Sequence, residues 1–232
     1  MKGRKIGECV YCGTRGPITQ DHVPLKGLFP KPRPNTLITV PSCVDCNLDS
    51  SVDDEYFRAM LALRADLTGN PAVEKIRETV LRSFEKPTKE AFRQSFYGSL
   101  ESVVPDSQGK TIGVGGQTYP VAVQRISWVV GCTTLGLFHK HMGRRLPLGE
   151  YVAGANLAVE IDFEGSDILT MGRQRLLAAP ERVVASDVYS YRFIELEFDS
   201  NCTVWWHTFY GIVDLIAATM PARVADGGGE AT

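Results

Sequence analysis

The 232-residue sequence predicts an α+β protein: a small N-terminal unit, then a larger mixed α+β domain with a long buried helix and an antiparallel C-terminal sheet. Three observations predict this class. Two C-x2-C pairs bracket short β-branched segments, apolar residues recur at helical spacing in the middle of the chain, and the last part alternates apolar and polar residues. We therefore divide the chain into a cysteine-containing unit at 1–64, an α+β domain of unassigned role at 65–225 and a flexible tail at 226–232.

The N-terminal unit is predicted to contain a strand, a loop, a second strand and a helix, in that order. β-branched residues at 18–23 and 36–40 predict the two strands, and the second is expected to stop at Pro41. The proline-rich segment 29–34 removes backbone donors and restrains its neighbours, so we expect a stiff loop between the strands. A serine at position 50 or 51 is suited to cap a helix that continues to about residue 65.

The rest of the chain is predicted to alternate helices and strands. Prolines at favoured first positions begin two helices, at Pro71 and Pro87, and buried periodicity predicts a long helix over 121–143. The predicted β elements are a glycine-containing hairpin at 103–120 and two strands, 188–198 and 203–210, that flank a turn at 199–201.

The composition is that of a soluble protein, with 44% hydrophobic and 22% charged residues. Every uninterrupted apolar run is shorter than the ~20 residues that a bilayer-spanning helix needs. The basic start of the chain leads into a cysteine pair and has no apolar signal region behind it. These features predict a cytoplasmic protein that binds no membrane.

Basic residues are concentrated locally, although the net charge is only −2. Residues 1–36 contain seven Lys and Arg residues against two acids. A second basic cluster, formed by Lys140, Arg144 and Arg145, lies at the predicted end of a helix. Such asymmetry is typical of a surface that contacts a polyanion. For the second cluster the alternative is a set of solvated charges, which are favoured at a helix C-terminus.

The two cysteine pairs predict a tetrahedral metal site. Four thiolates from two C-x2-C pairs have the number and spacing that zinc requires, and they leave no open position, so the zinc would be structural. A disulfide framework is the alternative, but a reducing cytosol favours metal ligation for the pairs and buried thiols for Cys132 and Cys202. The predicted zinc ligands are Cys9, Cys12, Cys43 and Cys46.

An Asp21-His22 pair lies between the cysteine pairs, at the end of the first predicted strand. A neutral imidazole with a pKa near the working pH is suited to take a proton from water that attacks phosphorus. The Asp21 carboxylate supplies a hard oxygen ligand for magnesium or manganese. Successive strand residues face opposite sides, so both side chains reach one site only if the strand end is bent.

These residues resemble the HNH endonucleases of the ββα-metal fold, and in particular their four-cysteine, zinc-containing branch. The resemblance covers residues 9 to about 60 and rests on the order C-x2-C, Asp-His-Val-Pro, Asn-x-Leu and C-x2-C-Asn. It implies that His22 is the general base and that Asn35 orients this base. It also implies that Asp21 and Asn47 hold a catalytic divalent cation, Mg²⁺ or Mn²⁺.

The resemblance further implies a metal-dependent endonuclease that acts on nucleic acid, with DNA as the expected substrate. Three basic residues in the loop after the first strand are expected to contact phosphates: Lys26, Lys31 and Arg33. Two alternatives stay open at this point. One is a zinc-knuckle protein that binds nucleic acid without cutting it, and the other is a protein-interaction domain with a structural zinc unit. The sequence also leaves open a homodimer formed through residues 65–225.

Overall fold

The computed structural model is an α+β fold with two main antiparallel sheets and helices that pack against them. This confirms the predicted fold class. The predicted tail at 226–232 lies outside the part of the chain that the structure describes. The described residues are 5–49, 51–98, 101–102, 117–118, 122–157 and 167–222.

The N-terminal sheet consists of three antiparallel strands. They are β1 Ile6–Glu8, β2 Arg15–Val23 and β3 Ile38–Cys43, in the order β1-β2-β3. β3 differs from the prediction, because it begins two residues later and passes through Pro41. Proline is tolerated there because β3 is an edge strand, and the missing N–H can face away from the neighbouring strand.

Two helices, α1 Val44–Asp49 and α2 Ser51–Ala62, follow the sheet directly. α2 begins at residue 51, where the sequence predicts a helix, whereas α1 is an additional helix that starts immediately after the last residue of β3. As a result Cys46 and Asn47 lie on a helix whose position is fixed by the sheet. α2 packs against α1 and against two later helices.

The next helix, α3 Pro71–Phe84, begins where the sequence predicts and buries one side. The Asn70 side chain caps it by accepting hydrogen bonds from two N–H groups of the first turn, at 2.9 and 3.2 Å. A short 3₁₀ turn at Pro87–Lys89 then leads into α4 Glu90–Gly98. The predicted helix from Pro87 is therefore present, with a tighter first turn.

Two-residue strands, β4 Glu101–Ser102 and β5 Gln117–Thr118, form an antiparallel pair where the hairpin is predicted, and the segment between them lies outside the described ranges. The long helix α5 Val123–Met142 follows, as predicted. It ends at Gly143, whose φ of 66° is left-handed and whose N–H donates to the His139 carbonyl at 3.0 Å. No helix in the described part of the chain is both long and apolar enough to cross a lipid bilayer.

α5 packs against both sheets and comes very close to the end of β2. A Cβ atom added at Gly136 would lie 2.5 Å from Cγ2 of Val23, so this approach requires glycine. Val23 is 2% exposed and directly follows His22. α5 therefore buries one side of the strand end that carries the Asp21-His22 pair.

The C-terminal part is a five-stranded antiparallel sheet with one further helix. Its elements are β6 Tyr151–Leu157, α6 Asp167–Ala178, β7 Arg182–Ala185, β8 Tyr189–Leu196, β9 Asp199–Phe209 and β10 Val213–Pro221. The strands lie in the order β6-β10-β9-β8-β7. The turn between β8 and β9 is at 197–198, two residues earlier than predicted, because Asp199 already pairs with Leu196. α6 is not predicted from the sequence.

One buried core joins the N-terminal unit to the rest of the protein. Val23, Leu28 and Phe29 belong to the same cluster as residues of α2, α3, α5 and β9. The Tyr210 hydroxyl also donates to the Leu28 carbonyl oxygen at 2.9 Å. The predicted boundary at residue 64 falls in the connection from α2 to α3, and the core is continuous across it.

β9 carries an inward row of aromatic rings around a buried histidine. Trp205, His207 and Phe209 are each 0% exposed. The Nδ1 atom of His207 lies 2.7 Å from the Tyr189 hydroxyl, and its Nε2 atom lies 3.1 Å from Thr134 Oγ1. Burial lowers the pKa of His207 to about 3, so the ring is neutral at physiological pH.

This buried histidine predicts a loss of stability in acid. The unfolded chain binds a proton at this residue below its ordinary pKa of about 6.5, whereas the folded chain resists protonation down to about pH 3. The contribution of neutral His207 to the unfolding free energy is fully present above about pH 6.5. It decreases as the pH falls from about 6.5 towards about 3, with a slope of up to about 1.4 kcal/mol per pH unit. We expect His207→Gln to show a shallower pH dependence of the unfolding free energy than the wild type, measured by urea titration from pH 8 to pH 5. Equal slopes in the two proteins would contradict this account.

Candidate functional site

The four predicted cysteine ligands come together beside the N-terminal sheet. Their Sγ atoms all lie within 4.8 Å of one another, and those of Cys12 and Cys43 are 3.8 Å apart. A tetrahedral site with Zn–S bonds of about 2.3 Å needs S···S separations of about 3.8 Å. The cluster therefore has the size to hold a metal ion such as zinc. Its members are Cys9, Cys12, Cys43 and Cys46.

The turn that carries Cys9 and Cys12 is shaped by a glycine and by local hydrogen bonds. Gly13 has a φ of 77°, and its N–H donates to the Cys9 carbonyl at 2.9 Å. A Cβ atom at Gly13 would lie 2.8 Å from Cζ of Arg145, so that arginine packs directly on the turn. Hydrogen bonds to Thr14 lower the pKa of the Cys12 thiol to about 6, which favours the thiolate form that metals bind.

The two arginines of the second basic cluster are engaged in contacts within the chain. Arg145 forms an ion pair with Glu8, with Nε and Oε1 2.9 Å apart. Arg144 donates to the Asn201 side chain and, at 3.1 Å, to the Ser200 hydroxyl. These contacts tie the end of α5 to the N-terminal unit and to the start of β9. They support a structural role for both arginines rather than a second polyanion site.

The Asp21-His22 pair lies near the end of β2, and two hydrogen bonds hold the Asp21 carboxylate. Its Oδ1 accepts a hydrogen bond from the His22 backbone N–H at 2.8 Å. Its Oδ2 accepts a second hydrogen bond, also 2.8 Å long, from the Tyr11 hydroxyl. The carboxylate is thus held by a residue of the cysteine turn. Both side chains line one cavity, although β2 pairs with β3 in a regular register from Ile18 to Val23.

One cavity of about 460 Å³ brings five of the predicted site residues together. Asp21, His22 and Asn47 line it, and so do Lys26 and Arg33. They come from β2, from α1 and from the segment between β2 and β3. This cavity is the candidate functional site, and we call it the central cavity.

The Asn47 side chain is oriented by a bond to the neighbouring strand. Its Nδ2 donates to Thr19 Oγ1 at 2.9 Å, and that hydroxyl donates to the Ser42 carbonyl at 3.0 Å. The amide nitrogen is therefore committed to the protein. The amide oxygen is the atom with the chemistry to bind a hard cation.

His22 is held in its neutral form by its surroundings. Burial lowers the pKa of the imidazole, Lys26 and Arg33 lower it further, and the Asp21 carboxylate opposes them. The net shift is downward. A neutral imidazole beside two cations is able to accept a proton and is not itself a fixed positive charge.

The structure does not bring Asn35 to the central cavity. Asn35 lies in an exposed turn before β3 and is not among the residues that line that cavity. The proline-rich loop ends at Pro34 and β3 starts only at Ile38, so Asn35 lies outside the sheet. Lys31 is also outside the central cavity, but it lines a neighbouring one.

Four further charged residues, which the sequence motif does not predict, also line the central cavity. Asp54 also lines a smaller adjoining cavity together with Asp21 and His22. Asn47 lies on α1 and Asp54 on α2, so no spacing within one helix identifies Asp54 from the sequence. The pair of Lys89 and Glu55, with Nζ and Oε2 2.6 Å apart, depends on a contact between distant helices and has no local signal. The four are Asp54, Glu55, Arg58 and Lys89.

Comparisons of the chain with protein-family models, with curated proteins and with solved structures found no match. The chemistry of the central cavity is therefore inferred from the residues that line it.

Proposed function

We propose that this chain is a metal-dependent endonuclease of the HNH type, which hydrolyses phosphodiester bonds in nucleic acid, with DNA as the expected substrate. The observation that supports this function is the meeting of Asp21, His22 and Asn47 in one cavity beside a four-cysteine cluster. These residue types supply a proton acceptor and oxygen ligands for a divalent cation.

His22 acts as the general base in this proposal. It takes a proton from a water molecule while the water oxygen forms a bond to phosphorus. The bond from phosphorus to the 3′ oxygen breaks, and that oxygen leaves and takes up a proton from solvent. Products are a 5′ phosphate and a 3′ hydroxyl. The lowered pKa of His22 keeps the ring ready to accept the proton at neutral pH.

Asp21 and Asn47 are the residues that would hold the catalytic Mg²⁺ or Mn²⁺. In the described part of the chain, only the four cysteines bring three or more His, Cys, Asp or Glu ligand atoms within 4.8 Å. Two protein oxygen ligands suit magnesium, which commonly keeps several waters and binds substrate phosphates. Once bound, such a cation stabilises negative charge on the phosphorus and on the leaving oxygen.

The four cysteines bind zinc in this proposal, and the zinc is structural. Four thiolates complete a tetrahedral shell and leave no position for substrate or water. The metal ties the turn before β2 to the junction of β3 and α1, so it holds in place the elements that carry Asp21 and Asn47.

Plasmid cleavage tests the proposed base. With Mg²⁺ or Mn²⁺ the wild type is expected to cut supercoiled plasmid, and His22→Ala is expected to cut at least about 100-fold more slowly, because a general base contributes about this much or more. His139→Ala, which changes a histidine outside the central cavity, is the matched control and should cut at the wild-type rate. Unchanged cleavage by His22→Ala would falsify its role. A wild type that cuts no substrate with either metal would favour the non-cleaving zinc-knuckle alternative.

Metal analysis tests the cysteine cluster. Purified protein is expected to contain about one zinc per chain. Cys12→Ser is expected to lose the zinc, the circular dichroism signal of the folded N-terminal unit and the ability to cut plasmid. Cys202→Ala removes a buried thiol outside the cluster and should retain the zinc. A Cys12→Ser protein that keeps zinc and full activity would rule out the predicted ligand set.

Tyr11 is predicted to position Asp21 for cation binding. Tyr11→Phe keeps the ring and removes the hydroxyl that donates to Asp21 Oδ2. Loss of such a supporting bond typically weakens metal binding about 10- to 100-fold. We expect the Mn²⁺ concentration for half-maximal cleavage to rise by about tenfold, with recovery of the rate at saturating metal. If only the maximal rate falls and the metal dependence is unchanged, Tyr11 has another role.

A further inference from the structure

A second cavity, of about 350 Å³, adjoins the central cavity. The two share Gly27, Arg33 and Arg58 as lining residues, so they lie next to each other. The second cavity lies between the proline-rich loop and α3. It therefore extends the candidate site onto a helix that lies outside the predicted nuclease unit at 1–64.

Positive charge dominates this second cavity, which we call the basic groove. Five cationic side chains line it, against one acid, Glu78. The chain as a whole has a net charge of −2, so this concentration is local. The five are Lys31, Arg33, Arg58, Lys75 and Arg82.

Little of this charge is compensated by the protein. No ion pair of Lys31 or Lys75 is found among the described residues. Arg82 approaches Glu78 only to 3.8 Å, and the two side chains are 65% and 70% exposed, so this pair contributes little. Arg33 uses its Nε to bind the Lys26 carbonyl oxygen at 3.1 Å, which positions the guanidinium without neutralising it.

Arg58 lies where the two cavities meet. It makes no hydrogen bond or ion pair with any residue in the part of the chain that the structure describes, and its buried Nε has no acceptor there. Its side chain packs against Gly27, where an added Cβ would lie 3.2 Å from Cδ of Arg58. A guanidinium without a carboxylate partner is suited to bind a phosphate through two parallel hydrogen bonds.

The amphipathic pattern of α3 directs further charges into the groove. Burial of Ile76 and Val80 leaves Lys75, Thr79 and Arg82 on the exposed side of the helix. Lys75 and Arg82 are seven residues apart, which corresponds to about 10 Å along the helix axis. This distance corresponds to the rise of about three base-pair steps along the axis of a duplex.

From this arrangement we propose that the basic groove binds the sugar–phosphate backbone of the nucleic-acid strand that extends from the central cavity. Arg58 contacts a phosphate next to the scissile one, and Lys75 and Arg82 contact phosphates further along the strand. The inference rests on the proposed function for the identity of the ligand. It assigns α3 a role in substrate binding that does not depend on base sequence.

The test is binding to labelled oligonucleotides that cannot be cut. The double variant Lys75→Gln/Arg82→Gln is made in a His22→Ala background and compared with the His22→Ala parent by fluorescence anisotropy. The ligands are a 20-nucleotide single-stranded DNA, the matching duplex and an RNA of the same sequence, each measured over a salt series with Mg²⁺. We expect about tenfold weaker binding near 100 mM salt. The slope of log K against log salt should fall in magnitude by about 1.4 on single strands, because two phosphate contacts are lost. Lys86→Gln/Arg175→Gln removes one lysine and one arginine outside the groove and should bind like the parent.

The outcomes separate this inference from the proposed function. If the double variant binds with the same affinity and the same salt slope as its parent, the groove proposal is overturned even if the wild type cuts plasmid. That result would favour an acidic protein as the ligand of the groove. Weaker binding with a reduced slope supports the groove even if the wild type cuts nothing, in which case only the nuclease proposal fails. Since both side chains are exposed, the single variants provide the same test, with half the slope change each, if the double variant does not fold.

Discussion

The candidate site depends on the requirement that four sulfur atoms from two distant turns meet within 4.8 Å. This constraint fixes the turn before β2 against the junction of β3 and α1. Asn47 follows Cys46 directly, so the same constraint sets its position and lets it bind Thr19 on β2. Tyr11, which lies inside the first cysteine pair, is held where it can donate to Asp21. A closed cluster of four thiolates has no chemistry to offer a substrate, and its contribution to the site is geometric.

A second constraint comes from outside the cysteine unit. α5 closes over the end of β2 so tightly that Gly136 has no room for a Cβ atom beside Val23. The strand end is therefore buried on the Val23 side and open to the central cavity on the His22 side. That partial burial is the first cause of the lowered pKa of His22. Val129, Cys132 and Thr133 line a small cavity together with His22, so a helix about 110 residues further along the chain forms part of the surroundings of the proposed base.

The parts of the site that could be predicted from sequence are those fixed by local spacing. They are the two cysteine pairs, the adjacent acid and histidine at a strand end, and the asparagine after the last cysteine. Each lies in a short segment that can adopt few conformations. Asn35 shows the limit of such reasoning, because it lies in an exposed turn before β3 and does not line the central cavity. Arg58 and Lys89 reach the cavity only through the packing of α2 against later elements, which no local pattern specifies. The same holds in the fold: the strands β8 and β9 are predictable from their residue pattern, whereas the turn between them lies two residues before the predicted one because Asp199 pairs with Leu196.

Charge compensation distinguishes the central cavity from the basic groove, and it implies an order of events under the proposed function. In the central cavity the acids face a similar number of cations, and one of these cations is already paired. A phosphate that enters there meets three carboxylates as well as four cations, so a divalent cation held by Asp21 makes its entry more favourable. The basic groove has one acid against five cations and requires no such cation. Under the proposed function, a nucleic-acid strand can therefore be held along α3 without a divalent metal, whereas the scissile phosphate binds more tightly in the cavity with one. Binding and cleavage then differ in their metal requirement because of the acids of the central cavity, above all Asp21, since Glu55 is already paired with Lys89.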